Sequence, residues 1–121
     1  MRIVQLEGAA SHHITEFDSR GACIGGVTRG EEPFQLSYLQ LESGGVLGAH
    51  AATCRQLLLL LSGEGMVSGG DGVTHLIRQG QAVCWEEGEM HETSTNTGLT
   101  ALVLEAVNFA LLLARNDYTE A

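Results

Sequence analysis

One proline, one tryptophan and six basic residues are found among 121, and each shortage removes a class of answer. Six Lys and Arg against fifteen Asp and Glu give a formal net charge of −9, with no basic cluster to neutralise phosphates. That balance argues against nucleic acid and anionic membrane surfaces as partners. Three cysteines, Cys23, Cys54 and Cys84, are an odd number without C-x-x-C spacing, so neither a disulfide framework nor a zinc knuckle is expected. Free thiols suit a reducing compartment. No apolar run approaches the roughly 20 residues that span a bilayer. The opening MRIVQLEGAASHH has a single basic residue, an early Glu7 and no apolar stretch of useful length, so no signal or transit peptide is expected and the expected location is the cytoplasm. G-x-S-x-G, P-loop and GxGxxG fingerprints are absent in their proper contexts.

What is present points to a small soluble barrel. The hydrophobic share of 44% and a mean hydropathy of +0.07 fit a globular chain. A chain of this length forms one domain, 1–121, and buries about two-thirds of the surface it exposes when unfolded. Sixteen glycines punctuate it at intervals close to the length of a short strand, a spacing that favours an all-β sandwich or barrel. Strands are expected over 35–42, 56–61, 66–68, 73–77, 82–85 and 99–107. "SGGDG" between two of them suits a hairpin turn, because Gly and Asp tolerate positive φ. Propensity conflicts with this picture in two places: "AATCRQLLLLL" and "NFALLLARND" are rich in helix-favouring Ala and Leu. The first is read as a strand from the motif spacing below; the second, 108–115, is left open as strand or helix.

From Gly44 the order is five residues, His50, one residue, Ala52, three residues, Gln56, six residues and Gly63. From Gly80 it is five residues, Glu86, Glu87, Gly88, two residues, His91, three residues and Thr95. These two stretches, 44–63 and 80–95, resemble the first and second motifs of the cupin superfamily, and the chain is similar to a small single-domain cupin with a degenerate first motif. The resemblance implies a double-stranded β-helix, a jelly roll of two antiparallel sheets, with an N-terminal arm over 1–20 and a C-terminal segment over 108–121. Many cupins hold a divalent metal inside the barrel through two histidines and a glutamate of the first motif and the histidine of the second. Position by position, His50 and His91 match ligands, whereas Ala52 and Gln56 stand where a histidine and a glutamate are usual. Alanine has no donor atom, and a glutamine carbonyl brings no charge. The metal set the resemblance implies is therefore His50, His91 and Gln56, for a weakly held Zn, Ni, Fe or Mn.

Residues two apart on a strand share a face. If His50 points inward, so do Ala52, Gln56, Leu58 and Leu60, and the expected ligand pocket comprises His50, Ala52, Gln56, Leu58, His91 and Trp85. Leu57, Leu59 and Leu61 then face outward and require cover from a second subunit, as in a homodimer, or from the C-terminal segment. Two carboxylates are candidate general bases. Glu89, within "WEEGEMHE", falls on the His91 side by parity, although such a charge run is more often a solvated face; Glu105 is a lone acid between Leu104 and Ala106 whose bland reading is a strand edge in water. His12 and His13 read as an exposed pair, and Trp85 and Tyr38 either stack on a ligand or fill the core. Three functions stay open. The first is a barrel that binds a small organic ligand with a reduced or absent metal site. The others are a divalent-metal enzyme of isomerase or oxygenase type using His50 and His91, and a purely structural dimeric barrel.

Overall fold

The computed structural model describes residues 8–29 and 32–110, which form eight strands and no helix. In chain order these are β1 (His12–His13), β2 (Arg20–Arg29), β3 (Phe34–Ala51), β4 (Arg55–Ser68), β5 (Thr74–Arg78), β6 (Ala82–Trp85), β7 (Met90–Ser94) and β8 (Leu99–Ala106). No helix among the described residues is long and apolar enough to cross a membrane.

All pairings are antiparallel, and the two long strands each serve two sheets. The first half of β3 pairs with β2 and β8, and its second half, from Val46, pairs with β7. Likewise β4 pairs with β6 and β8 over its first half and with β5 and β7 over its second. One sheet therefore runs β1-β2-β3-β8-β4-β6 and the other β3-β7-β4-β5, joined where β3 and β4 bend from one to the other. Glycine makes both bends. Gly44 has φ +77° and Gly63 φ +81°, in the left-handed region that L residues rarely adopt. At Gly63 an added Cβ would also overlap the Gly98 carbonyl oxygen. The glycines that open and close the first motif are thus the hinges that fold two strands into a jelly roll.

Alternation supplies the core. Leu39, Leu58, Ala101 and Trp85 point between the sheets and are essentially buried, each large aliphatic contributing about 1.5–3 kcal/mol. The Leu run behaves as strand parity requires: Leu58 and Leu60 are buried inside, and on the outer row Leu57 is covered, Leu59 half-covered and Leu61 exposed. The start of the C-terminal segment meets that outer face at Arg55. Arg55, which shares the outer face with Leu57, lies 4.7 Å over the Phe109 ring, donates from Nη1 to the Phe109 carbonyl and pairs with Glu86 at 3.0 Å.

Several strands differ from expectation. The expected 56–61 and 66–68 are one bent strand, β4, and 35–42 is only the first half of β3, because glycines that read as chain breaks are bends within hydrogen-bonded strands. β2, RGACIGGVTR, was hidden by its three glycines, and β7, MHETS, by inward-facing polar residues. The "SGGDG" turn forms between β4 and β5, with Gly72 N donating to the Gly69 carbonyl and Val73 N to Asp71 Oδ1. Residues 108–110 are irregular, and the rest of 108–115 lies outside the described residues.

Candidate functional site

Two cross-strand pairs, one from each sheet, build the polar part of the barrel interior. On the second sheet His50 of β3 sits directly opposite His91 of β7, so both rings project from the same face. On the first sheet Gln56 of β4 sits opposite Glu105 of β8 on one side and Trp85 of β6 on the other. Gln56 Nε2 donates to Glu105 Oε1 at 2.8 Å. A cavity of about 230 Å³ lies between the pairs, lined by His50, His91, Gln56, Glu105 and Trp85. Its remaining walls are largely aliphatic, with Ile24, Leu39, Leu47, Leu58 and Val103.

The fourth wall comes from the N-terminal arm. β1 pairs with β2, and the chain between them doubles back across the cavity, adding His12, Ile14, Glu16 and Phe17 to its lining. The Phe17 ring stacks on His50 with centroids 4.1 Å apart and planes 10° from parallel. His50 follows His91 at 4.4 Å, and His91 follows Trp85 at 4.6 Å. Phe17, His50, His91 and Trp85 thus form a continuous column of rings. The arm is seated by close backbone approach: Gly48 N donates to Ser19 Oγ at 3.0 Å, and a Cβ on Gly48 would overlap the Phe17 carbonyl oxygen. Phe17 and Asp18 both adopt positive φ, 61° and 56°, a strain of about 1–3 kcal/mol each that the stacked ring helps to hold.

Hydrogen bonds fix the imidazoles. His50 Nδ1 lies 2.7 Å from the Gly48 carbonyl and His91 Nδ1 3.2 Å from the Glu89 carbonyl. A carbonyl only accepts, so in both rings the proton is on Nδ1, and in the neutral ring Nε2 keeps a free lone pair. Among the described residues neither Nε2 has a hydrogen-bond partner. Burial lowers the His91 pKa below the ordinary imidazole value, and the neighbouring His50 charge acts the same way against the bond to the Glu89 carbonyl. Burial raises the Glu105 carboxyl above the ordinary carboxylate range, opposed by His50. The Trp85 indole N–H is already given to the Ser68 carbonyl at 3.1 Å.

Most sequence candidates meet here: His50, Gln56, Leu58, Trp85, His91 and Glu105 all line the cavity. Two do not. Ala52 is buried off the wall, because β3 ends at Ala51 and Ala52 instead pairs its backbone with the turn at Gly88 and Glu89. Glu89 belongs to that turn as well, so strand parity with His91 does not apply to it. Its Oε2 accepts from Gly70 N at 2.8 Å and its Oε1 from Glu86 N at 3.0 Å, clamping two loops outside the cavity. Sequence reasoning missed the arm residues Glu16 and Phe17; His12 is exposed, as expected, and also borders the cavity. Phe17 carries no local signal, since its place depends on contact with a strand more than thirty positions on. Cys54 and Cys84 are free thiols, raised in pKa chiefly by burial, and stand apart from the cavity.

The sequence matches no family model and no curated protein. Solved structures, in contrast, match over most of the chain, and some over nearly all of it. An RmlC-like cupin from Shewanella frigidimarina superposes with a TM-score of 0.73 at 17% identity, covering 98% of this chain and 96% of that one. The fold is that of the cupins. The polyketide cyclase RemF from Streptomyces resistomycificus superposes with a TM-score of 0.76 at 18% identity, over 100% and 94% of the two chains. A predicted oxalate decarboxylase from Thermotoga maritima gives 0.76 at 19% identity, over 88% and 100%. Identities this low speak for the barrel and leave the chemistry to its side chains.

Those side chains do not compose the usual cupin metal site. Among the described residues, no three His, Cys, Asp or Glu are grouped to hold one ion. The position that supplies a carboxylate in the cupin motif is Gln56, whose amide N–H is turned toward Glu105. Two imidazoles and a neutral amide oxygen make a poor set for a divalent cation.

Proposed function

We propose that this cupin barrel binds a small organic ligand by direct contact with its side chains, without a resident divalent metal. The Gln56–Glu105 pair carries the reading: the place of an anionic ligand is taken by an amide, and the nearest carboxylate is committed to that amide. An aromatic column and aliphatic walls around a few convergent polar groups is the common build of a small-molecule pocket. The cavity of about 230 Å³ is below the roughly 300–1,000 Å³ typical of such pockets, so the ligand is compact.

The test is elemental analysis of untagged protein beside a His50→Ala/His91→Ala double variant, followed by thermal shift with aromatic fragments in chelator. Fragment stabilisation of the wild type without metal, lost in the variant, supports the reading. Near-stoichiometric metal that vanishes in the variant refutes it.

One observation favours a second reading. Glu105, held more protonated by burial, and His91 Nε2, kept unprotonated by burial, face one cavity. A proton donor and a proton acceptor placed around a bound molecule are the elements of metal-free acid–base catalysis. Turnover that persists in chelator and falls in both Glu105→Gln and His91→Phe supports this reading over simple binding.

A further inference from the structure

The proton positions in the cavity constrain which ligand fits. His50 and His91 have given their Nδ1 protons to backbone carbonyls, and Trp85 has given its N–H to Ser68. Gln56 has spent one N–H on Glu105. What remains toward the cavity is chiefly acceptors: the Glu105 carboxylate, the Gln56 carbonyl and the lone pairs of two Nε2 atoms. Among the described residues, a single Gln56 N–H, the Thr93 hydroxyl and, at the arm, one N–H of His12 are the donors left against them.

Charge points the same way. Among the described residues the cavity lining contains no Lys or Arg but has Glu105 and, at the arm, Glu16 beside His12, in a chain of net charge −9. An anion placed there meets carboxylates and a repulsive field, with no Lys or Arg among the described lining residues to hold it. Shape adds the third constraint, because four packed rings, Phe17, His50, His91 and Trp85, form one aromatic wall of the cavity against which a ring can lie.

Building on the ligand-binding reading above, we infer that the cavity selects a compact planar ring that carries hydrogen-bond donors and is neutral or cationic, such as an amidine or amino-substituted heteroaromatic. Its ring packs along the aromatic column, and its N–H groups are taken up by Glu105, Gln56 Oε1 and the imidazole Nε2 atoms. Carboxylate substrates are excluded from the same site. Electron-rich ring faces and a carboxylate also suit a delocalised cation.

The probes are benzamidine and benzoate, near-isosteric and opposite in charge and in donor pattern, with indole as an apolar ring of one donor. Binding is measured by calorimetry on the full chain in chelator from about pH 7 to about pH 9, because burial raises the Glu105 carboxyl and the alkaline end favours the ionised form that accepts the ligand's N–H groups. Trp85 fluorescence reports the site, because it is the only tryptophan. Benzamidine binding with Trp85 perturbation, absent for benzoate, is the expected result. Glu105→Gln is expected to weaken benzamidine roughly tenfold or more, the loss of a charged hydrogen-bond partner, while the exposed Glu87→Gln is expected to leave it unchanged. Phe17→Ala, at a residue 48% exposed whose loss spares the core, is expected to weaken it as well. Benzoate binding as well as benzamidine, or indole binding alone, overturns the donor-selective inference and leaves the ligand pocket standing. Failure of all three probes overturns both the inference and the binding reading beneath it.

Discussion

Gly48→Ala is the substitution whose consequence the structure specifies most closely. The alanine Cβ would overlap the carbonyl oxygen of Phe17, a backbone atom that cannot rotate aside. Gly48 itself has no positive φ, so its own strand tolerates alanine and the cost falls on the contact. Overpacking of this kind typically costs about 1–3 kcal/mol, and the arm is the softer of the two partners. It is held by two backbone register pairs with β2, by the Ile14 N to Ala22 carbonyl bond at 2.9 Å and by the Ser19 and Phe17 contacts. Against these it carries two residues in left-handed backbone that relax on release. Local opening of such a segment needs far less free energy than unfolding the barrel. The variant is therefore expected to shift the arm toward its undocked state by about 5- to 150-fold while the cooperative melt of the barrel changes little. Trp85 reports the change, since it is 3% exposed and shares the cavity with the arm. Acrylamide quenching of Trp85 and limited proteolysis within residues 8–19 should both rise. An unchanged quenching constant together with an unchanged cleavage rate refutes the seating of the arm on Gly48.

Three further outcomes are expected. Glu105 has a folded pKa above its unfolded value near 4.5, so the stability it contributes is present below that pH and is lost as pH rises through the folded pKa. Glu105→Gln should accordingly gain stability over wild type on the alkaline side of that window, and urea melts across pH that show no crossover disprove the assignment. His91 has a folded pKa below 6.5, so its contribution is present above 6.5 and is lost as pH falls through the folded pKa; His91→Phe should flatten that acid limb, which thermal melts against pH would show. Leu58→Ala, at a side chain 2% exposed on the cavity wall, should cost about 2–5 kcal/mol and widen the pocket, read as a lower urea midpoint with an altered fragment size preference.

Much of the site was legible one strand at a time. On β4, period-two alternation places Gln56, Leu58 and Leu60 on one face, and the cavity contains the first two of these with Leu60 in the adjoining core; His50 stands on β3 in the other sheet, so motif spacing rather than parity brought it to the same cavity. The same rule gave out at Ala52 and Glu89, because parity holds only while the strand lasts and both residues lie in the link between β3 and the turn before β7.

What the amino-acid order by itself determined is the barrel and the inward row of β4, since glycine conformation and side-chain alternation are local properties of consecutive residues. Tertiary structure alone decided three things. It set Glu105 against Gln56, brought the Phe17 ring onto His50, and gave each imidazole a carbonyl that directs its proton. Each depends on two segments far apart in the chain meeting at hydrogen-bonding or stacking distance, or on the exact backbone path around a bulge. Such coincidences are set by strand register, which shifts between Leu47 and His50 at the site itself, and register is a property of paired strands rather than of either one alone.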